Sequence, residues 1–194
     1  QTTERDRDMS DQRERLKQII LERSFQWSDQ AEFRLASGNW SHFYFNCKRT
    51  TMDPEGARLV GEAIFEAVRD RGIHGVGGLT LGADPMAAAT MHVAWDHGQR
   101  IKQFVVRKQL KDHGAIKWIE GNVAPGENVI ILEDVVTTGG STIQAIERAR
   151  EDGLNVRGVV ILVGREEEGG ADLIREHSPG PVQALFTRSE LMGA

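Results

Sequence analysis

The residues best placed to do chemistry are two adjacent acids, Glu133 and Asp134, within "NVIILEDVVTTGGSTI" (residues 128–143). An apolar run leads into them, Val135 and Val136 follow, and then come Thr137, Thr138, Gly139, Gly140 and Ser141. Two acids at the end of a strand are, taken alone, more often a solvated transition to a loop. The residues after them change that reading. Glycines without Cβ let backbone N–H groups turn toward one point, a helix start adds partial positive charge, and hydroxyls add further donors. Such a turn suits a phosphate, and carboxylates a few residues away suit hydroxyls or a metal. A phosphorylated ribose meets both demands. Neither a Walker A sequence nor a GxGxxG fingerprint occurs, which argues against a P-loop nucleotidase or a dinucleotide-binding fold.

A second candidate is "RKQLKDHG", which brings Arg107, Lys108, Lys111, Asp112 and His113 together. Short basic runs are usually solvated surface. This one begins where an apolar strand should end, and Gly114 and Gly121 suit a segment that moves. A departing pyrophosphate needs cations or donors that meet it in the transition state. A loop can close over the site, exclude water and reopen for release.

The elements that must position these groups follow from periodicity. We expect residues 1–10 to be a polar, disordered tail and a short amphipathic helix over 11–25, with Leu16, Ile19 and Ile20 at helical spacing. In "FRLASGNWSHFYFN", Phe33 and Leu35 alternate with polar residues, Ser37-Gly38-Asn39 turns, and Phe43 and Phe45 resume, predicting a hairpin. Asp53-Pro54 has the form of a helix start, and the helix should run to Gly72. Apolar runs at 76–79, 101–106, 129–132, "VRGVVILVG" and "PVQALF" predict strands, with helices over 85–95 and 141–151 between them. Residues 107–121 have no clean period and read as a loop with marginal strands at its base. Strands apolar on both faces and alternating with helices imply a mostly parallel central sheet flanked by helices, an α/β fold. In such sheets the ligand site lies beyond the carboxyl ends of the strands, where Glu133 and Asp134 are expected.

The 194 residues suffice for one filled core, so we expect a single domain over 11–194. The net charge of −5 argues against a duplex nucleic-acid partner. Cys47 is the only cysteine, which rules out an intramolecular disulfide and a cysteine-rich metal site. No apolar run reaches the roughly 18 residues of a membrane span, and the N-terminal "QTTERDRDMSDQRERLK" lacks a signal-peptide core. A soluble, cytoplasmic protein without membrane partners is the expectation. His42, His74, His92, His97 and His177 have no metal-ligand spacing, and packing accounts for Trp40 and Trp118.

"VIILEDVVTTGGST" resembles the phosphoribosyl-diphosphate (PRPP) motif of type I phosphoribosyltransferases. The resemblance implies that fold with a small N-terminal hood. It also implies that Glu133 and Asp134 address the ribose hydroxyls, that Thr137 to Ser141 cradle the 5-phosphate, and that Val135 and Val136 belong to the same PRPP-binding stretch. "VVRKQLKDHG" is similar to the catalytic loop of the orotate phosphoribosyltransferases. This implies a pyrimidine-biosynthetic transfer from PRPP to orotate, with Lys111, His113 and Asp112 catalytic and Arg107 and Lys108 binding PRPP. It implies Mg²⁺ held mainly by PRPP and water, with no direct protein ligand expected, and a homodimer that shares the loop. Tyr44, Phe45 and Thr137 should border orotate, and Arg165 in "VGREEEGG" should pair with its carboxylate. The similarity extends from about Leu16 to Leu191. Two positions depart from the family pattern: Ala36 stands where many members carry lysine, and Leu81-Gly82 where many carry Tyr-Lys. Transfer to another base, and a PRPP-sensing regulator that binds nucleic acid, are the alternative readings.

Overall fold

The computed structural model describes residues 4–35, 37–110, 117–166 and 168–193. Helix α1 (Glu4–Ile19) continues into a π-helical turn, Ile20–Ser24, and short β1 (Phe25–Trp27). The helix therefore starts seven residues before the position that the apolar spacing predicts, within the stretch expected to be a tail. Next come β2 (Phe33–Arg34), β3 (Trp40–Ser41) and β4 (Phe43–Phe45). The hairpin forms between β2 and β3, whereas β4 pairs antiparallel with β1, a strand the alternation did not reveal. Short α2 (Lys48–Thr51) leads to α3 (Pro54–Val68), where Asp53 Oδ1 accepts from the Glu55 and Gly56 amides. Such a cap stabilises a helix by about 1 kcal/mol.

The sheet alternates with helices thereafter: β5 (Gly75–Leu79), α4 (Ala83–Asp96), β6 (Lys102–Val106), β7 (Ile119–Gly121), β8 (Asn128–Val136), α5 (Gly140–Glu151), β9 (Asn155–Gly164), α6 (Gly170–His177), β10 (Val182–Thr187) and α7 (Arg188–Met192). Six strands pair in the order β10-β9-β8-β5-β6-β7, all parallel except edge strand β7, which runs antiparallel to β6. The marginal strand expected at the base of the basic loop is this β7.

Period-two alternation sorts the core. Ile130, Leu132, Val160 and Leu162 pack with Val60, Ile64 and Met86 of α3 and α4 on one face. Val129, Ile131, Val159 and Ile161 pack with Ala145, Ile146 and Ile174 of α5 and α6 on the other. Each such fully buried aliphatic side chain contributes roughly 1.5–3 kcal/mol. Because the five main strands are parallel, the loops after β5, β6, β8 and β9 all leave from one edge. The acid pair, the basic loop and Arg165 are thereby gathered there from distant parts of the chain.

Candidate active site

Strand β8 runs further than its apolar core predicts. Val135 and Val136 pair with Val163 and Gly164 of β9, so the ladder carries through the acids instead of ending before them. Its pairing with β5 extends only to Ile131, and the last residues of β8 stand beyond that neighbour. Glu133 and Asp134 are thus buried strand residues, 7% and 9% exposed, and not a solvated strand end.

Alternation then separates their surroundings. Glu133 points toward α5, where its Oε2 accepts from Ser141 Oγ and Thr142 Oγ1, each at 2.9 Å. Burial and the charge of Asp134 push the Glu133 carboxyl up to about 7, against the opposing pull of the two hydroxyls. Asp134 turns to the other side. Its Oδ1 accepts from the Val135 amide at 3.0 Å, and its Oδ2 lies 3.7 Å from Lys48 Nζ. A Cβ built on Gly82 would come 2.5 Å from Asp134 Oδ1, so the carboxylate occupies the space a side chain there would need. Gly82 lies after Leu81, whose peptide with Thr80 is cis.

The turn after β8 bends at Gly139, whose φ of +85° is open to glycine and strained for other residues, and α5 starts at the next residue. A Cβ on Gly139 would meet the Gly170 carbonyl oxygen at 2.7 Å, and one on Gly170 would meet the Thr137 oxygen at 2.2 Å. The start of α6 therefore holds the turn in shape. Thr137 and Thr138 are half-buried, while Gly140 and Ser141 are exposed at the opening of α5, a ready anion site.

At the end of β9, Arg165 is not the surface residue that its position alone allowed. It is 4% exposed, its guanidinium lies 4.3 Å over the Phe43 ring, and Nη2 donates to Ser41 Oγ at 3.3 Å. The hood clasps this corner a second time, with Ser37 Oγ and Asn39 Nδ2 donating to Glu168. Tyr44 is half-buried and stacks on Phe33 at 6.0 Å. The Phe45 ring is 3% exposed and faces the core beside Phe25, so only its backbone remains to border a ligand.

Of the basic loop, Arg107 pairs with Glu120 at 3.0 Å and Lys108 is exposed. Lys111, Asp112 and His113 lie outside the described residues, as does Ala36. Trp118 packs beneath Arg148 at 4.0 Å, whereas Trp40 is exposed. Sequence reading missed Lys48, Ser41, Phe43, Thr142 and Gly170. Ser41, Phe43, Thr142 and Gly170 lie inside stretches whose other residues drew attention, and Lys48 lies outside all of them; tertiary packing is what gives each its place at the site.

The raised Glu133 carboxyl has a measurable consequence. The folded chain holds a proton that the unfolded chain releases from about pH 4.5, so this group's stabilisation is full below that pH and is lost as pH rises toward about 7. Glu133→Gln removes this titration. Its melting temperature relative to wild type should rise between pH 5 and 7.5, whereas parallel curves would show that Glu133 does not titrate in that window.

A strand that carries two buried acids and, two residues on, turns through threonine and glycine into a helix, at the carboxyl edge of this sheet, is the arrangement that the resemblance to type I phosphoribosyltransferases implies. The orotate phosphoribosyltransferase of Aquifex aeolicus is 45% identical over 181 residues, covering 93% of this chain and 98% of that protein. The one from Rhodopseudomonas palustris strain BisB5 is 44% identical, covering 93% and 96%. The chain belongs to the orotate phosphoribosyltransferase family. Among solved structures, the Mycobacterium tuberculosis orotate phosphoribosyltransferase in complex with PRPP superposes with a TM-score of 0.76 at 31% identity, covering 93% of this chain and 99% of that one. No family model matches the chain. No helix among the described residues is long and apolar enough to cross a membrane.

Proposed function

We propose that this protein transfers the phosphoribosyl group of PRPP to orotate, giving orotidine 5-phosphate and pyrophosphate. The single observation that carries this reading is the buried acid pair of β8, joined through Ser141 and Thr142 to the helix start that suits a phosphate. Thr137 to Ser141 hold the 5-phosphate, with Val135 and Val136 as the backbone beneath, and the ribose hydroxyls face the acids. Arg165 takes the orotate carboxylate, for which a guanidinium fork is matched in shape and charge. Tyr44, Thr137 and the Phe45 backbone border the ring.

In the reaction the bond from ribose C1 to pyrophosphate oxygen breaks as orotate N1 bonds to C1 from the opposite face, and the proton that N1 gives up passes to Asp112 or to the departing pyrophosphate. Positive charge develops on the sugar and negative charge on the leaving group. Asp134 and Glu133 position the diol and stabilise the sugar, while Lys111 and His113 meet the leaving group, with Asp112 as a proton or charge partner. Arg107 and Lys108 complete the basic side, and closure of their loop excludes water.

The donor set suits Mg²⁺ that arrives with substrate. Two adjoining, largely buried carboxylates are present, an oxygen donor set that suits a hydrated cation. Magnesium keeps waters and takes ligands chiefly from substrate oxygens. When bound, it supplies charge neutralisation to the diphosphate. The chain acts in the cytoplasm as one domain with a β1–β4 hood, in a homodimer whose subunits share the basic loop.

Following orotate consumption with PRPP and Mg²⁺ tests the reading, with uracil and purine bases alongside. Turnover is expected with orotate alone, and chelation with EDTA should abolish it until Mg²⁺ is restored. PRPP consumed only with another base would overturn the substrate assignment.

A further inference from the structure

Lys48 belongs to none of the sequence motifs, yet it is held firmly at the site. Cys47 before it, and Thr50 and Thr51 after it, are buried, and Thr50 Oγ1 lies 2.7 Å from Ser24 Oγ at the end of the π-helical turn. Helix α3 packs so closely on α2 that a Cβ at Gly56 would come 2.3 Å from the Thr50 carbonyl oxygen. The backbone beneath Lys48 is thus clamped from two sides. Its side chain, 38% exposed, runs outward and brings Nζ to 3.7 Å from Asp134 Oδ2.

An exposed ion pair contributes little to stability. Here one partner is buried and the other stands on a fixed backbone, so the consequence is positional. Asp134 is confined on its far side by Gly82, where any side chain would push the carboxylate out of place. The loop that carries Gly82 reads Thr80-Leu81-Gly82-Ala83-Asp84 and contains no basic residue, and Asp84 is engaged by the Thr80 hydroxyl at 2.7 Å. Cys47, also near Asp134, is pushed up by burial and stays a neutral thiol. Among the described residues, Lys48 is the cation beside the acid pair. An ammonium has three donors, so pairing with Asp134 leaves capacity for substrate oxygens.

We propose that Lys48 is a positioning residue for PRPP: its ammonium holds Asp134 in the place that Gly82 leaves open and supplies the cation that the loop after β5 lacks. This rests on the reading of the site as a PRPP site. Steady-state kinetics and PRPP calorimetry on the full chain, for wild type, Lys48→Met and Lys48→Arg, test it. Lys48→Met is expected to raise the KM and Kd for PRPP about tenfold, with a smaller fall in kcat because Asp134 also acts on the reacting sugar, and with the KM for orotate nearly unchanged. Lys48→Arg should recover most of the loss. Wild-type PRPP affinity in Lys48→Met, or an arginine variant as impaired as the methionine one, would overturn the role. So would lower thermal stability in both variants at unchanged KM, which would mark Lys48 as structural. If wild type itself neither binds PRPP nor consumes orotate, it is the functional reading that falls.

Discussion

Lys111→Ala is expected to lower kcat about 10²–10³-fold, the loss found when one donor aimed at transition-state charge is removed. The segment starts at the end of β6, on the edge where the acid pair stands, and its base is pinned. Arg107 bridges to Glu120, Arg148 donates to the Arg107 carbonyl at 2.6 Å, and β7 pairs back onto β6. We propose that Lys111, four residues further along the chain than that anchor, meets the pyrophosphate as it leaves. Its contribution therefore belongs to the transition state, and kcat and kcat/KM should fall together. A variant with wild-type kcat would remove Lys111 from the mechanism. The same variant tests loop sharing. Lys111→Ala mixed with Asp134→Asn should regain part of the activity, because one site of each heterodimer then combines an intact acid pair with an intact loop. Mixtures as inactive as their parents would confine each loop to its own subunit.

Arg165→Ala should raise the KM for orotate at least about tenfold, because each charge-assisted hydrogen bond contributes roughly 1.5–3 kcal/mol. The side chain is already held in place, stacked over Phe43 and bonded to Ser41, which suits the carboxylate-binding role proposed for it. The KM for PRPP should stay near wild type, because Arg165 stands at the end of β9 and not on the turn after β8. Arg165→Lys keeps charge but loses the planar fork, so it should recover only part of the affinity. An unchanged KM for orotate in the alanine variant would mean that the carboxylate is held elsewhere. A rise shared by both substrates would instead trace to disturbed packing beneath Phe43.

How far the site could be read in advance depended on how its parts are encoded. The acid pair, the Thr/Gly turn and the basic run are each continuous in the chain, and their residue types are tied to local geometry: a strand, a positive-φ turn, a helix start. The strand's true length was not legible, because Val135 and Val136 are held in the ladder by Val163 and Gly164, residues nearly thirty positions away. That Phe45 borders the ring was implied by the resemblance alone, because alternation marks only that a strand has two faces. Which face meets the core was set when β4 paired with β1.

The sequence by itself thus determined the alternation of strands and helices, the mostly parallel sheet and the chemistry of its richest segment, because periodicity and turn residues act over a few positions. Only the tertiary structure decided which carboxylate is tied to α5 and which faces Lys48, that Gly82 is small to make room for Asp134, and that Arg165 is buried. Those facts depend on contacts between segments tens of residues apart, and burial and charge proximity exist only once the chain has packed.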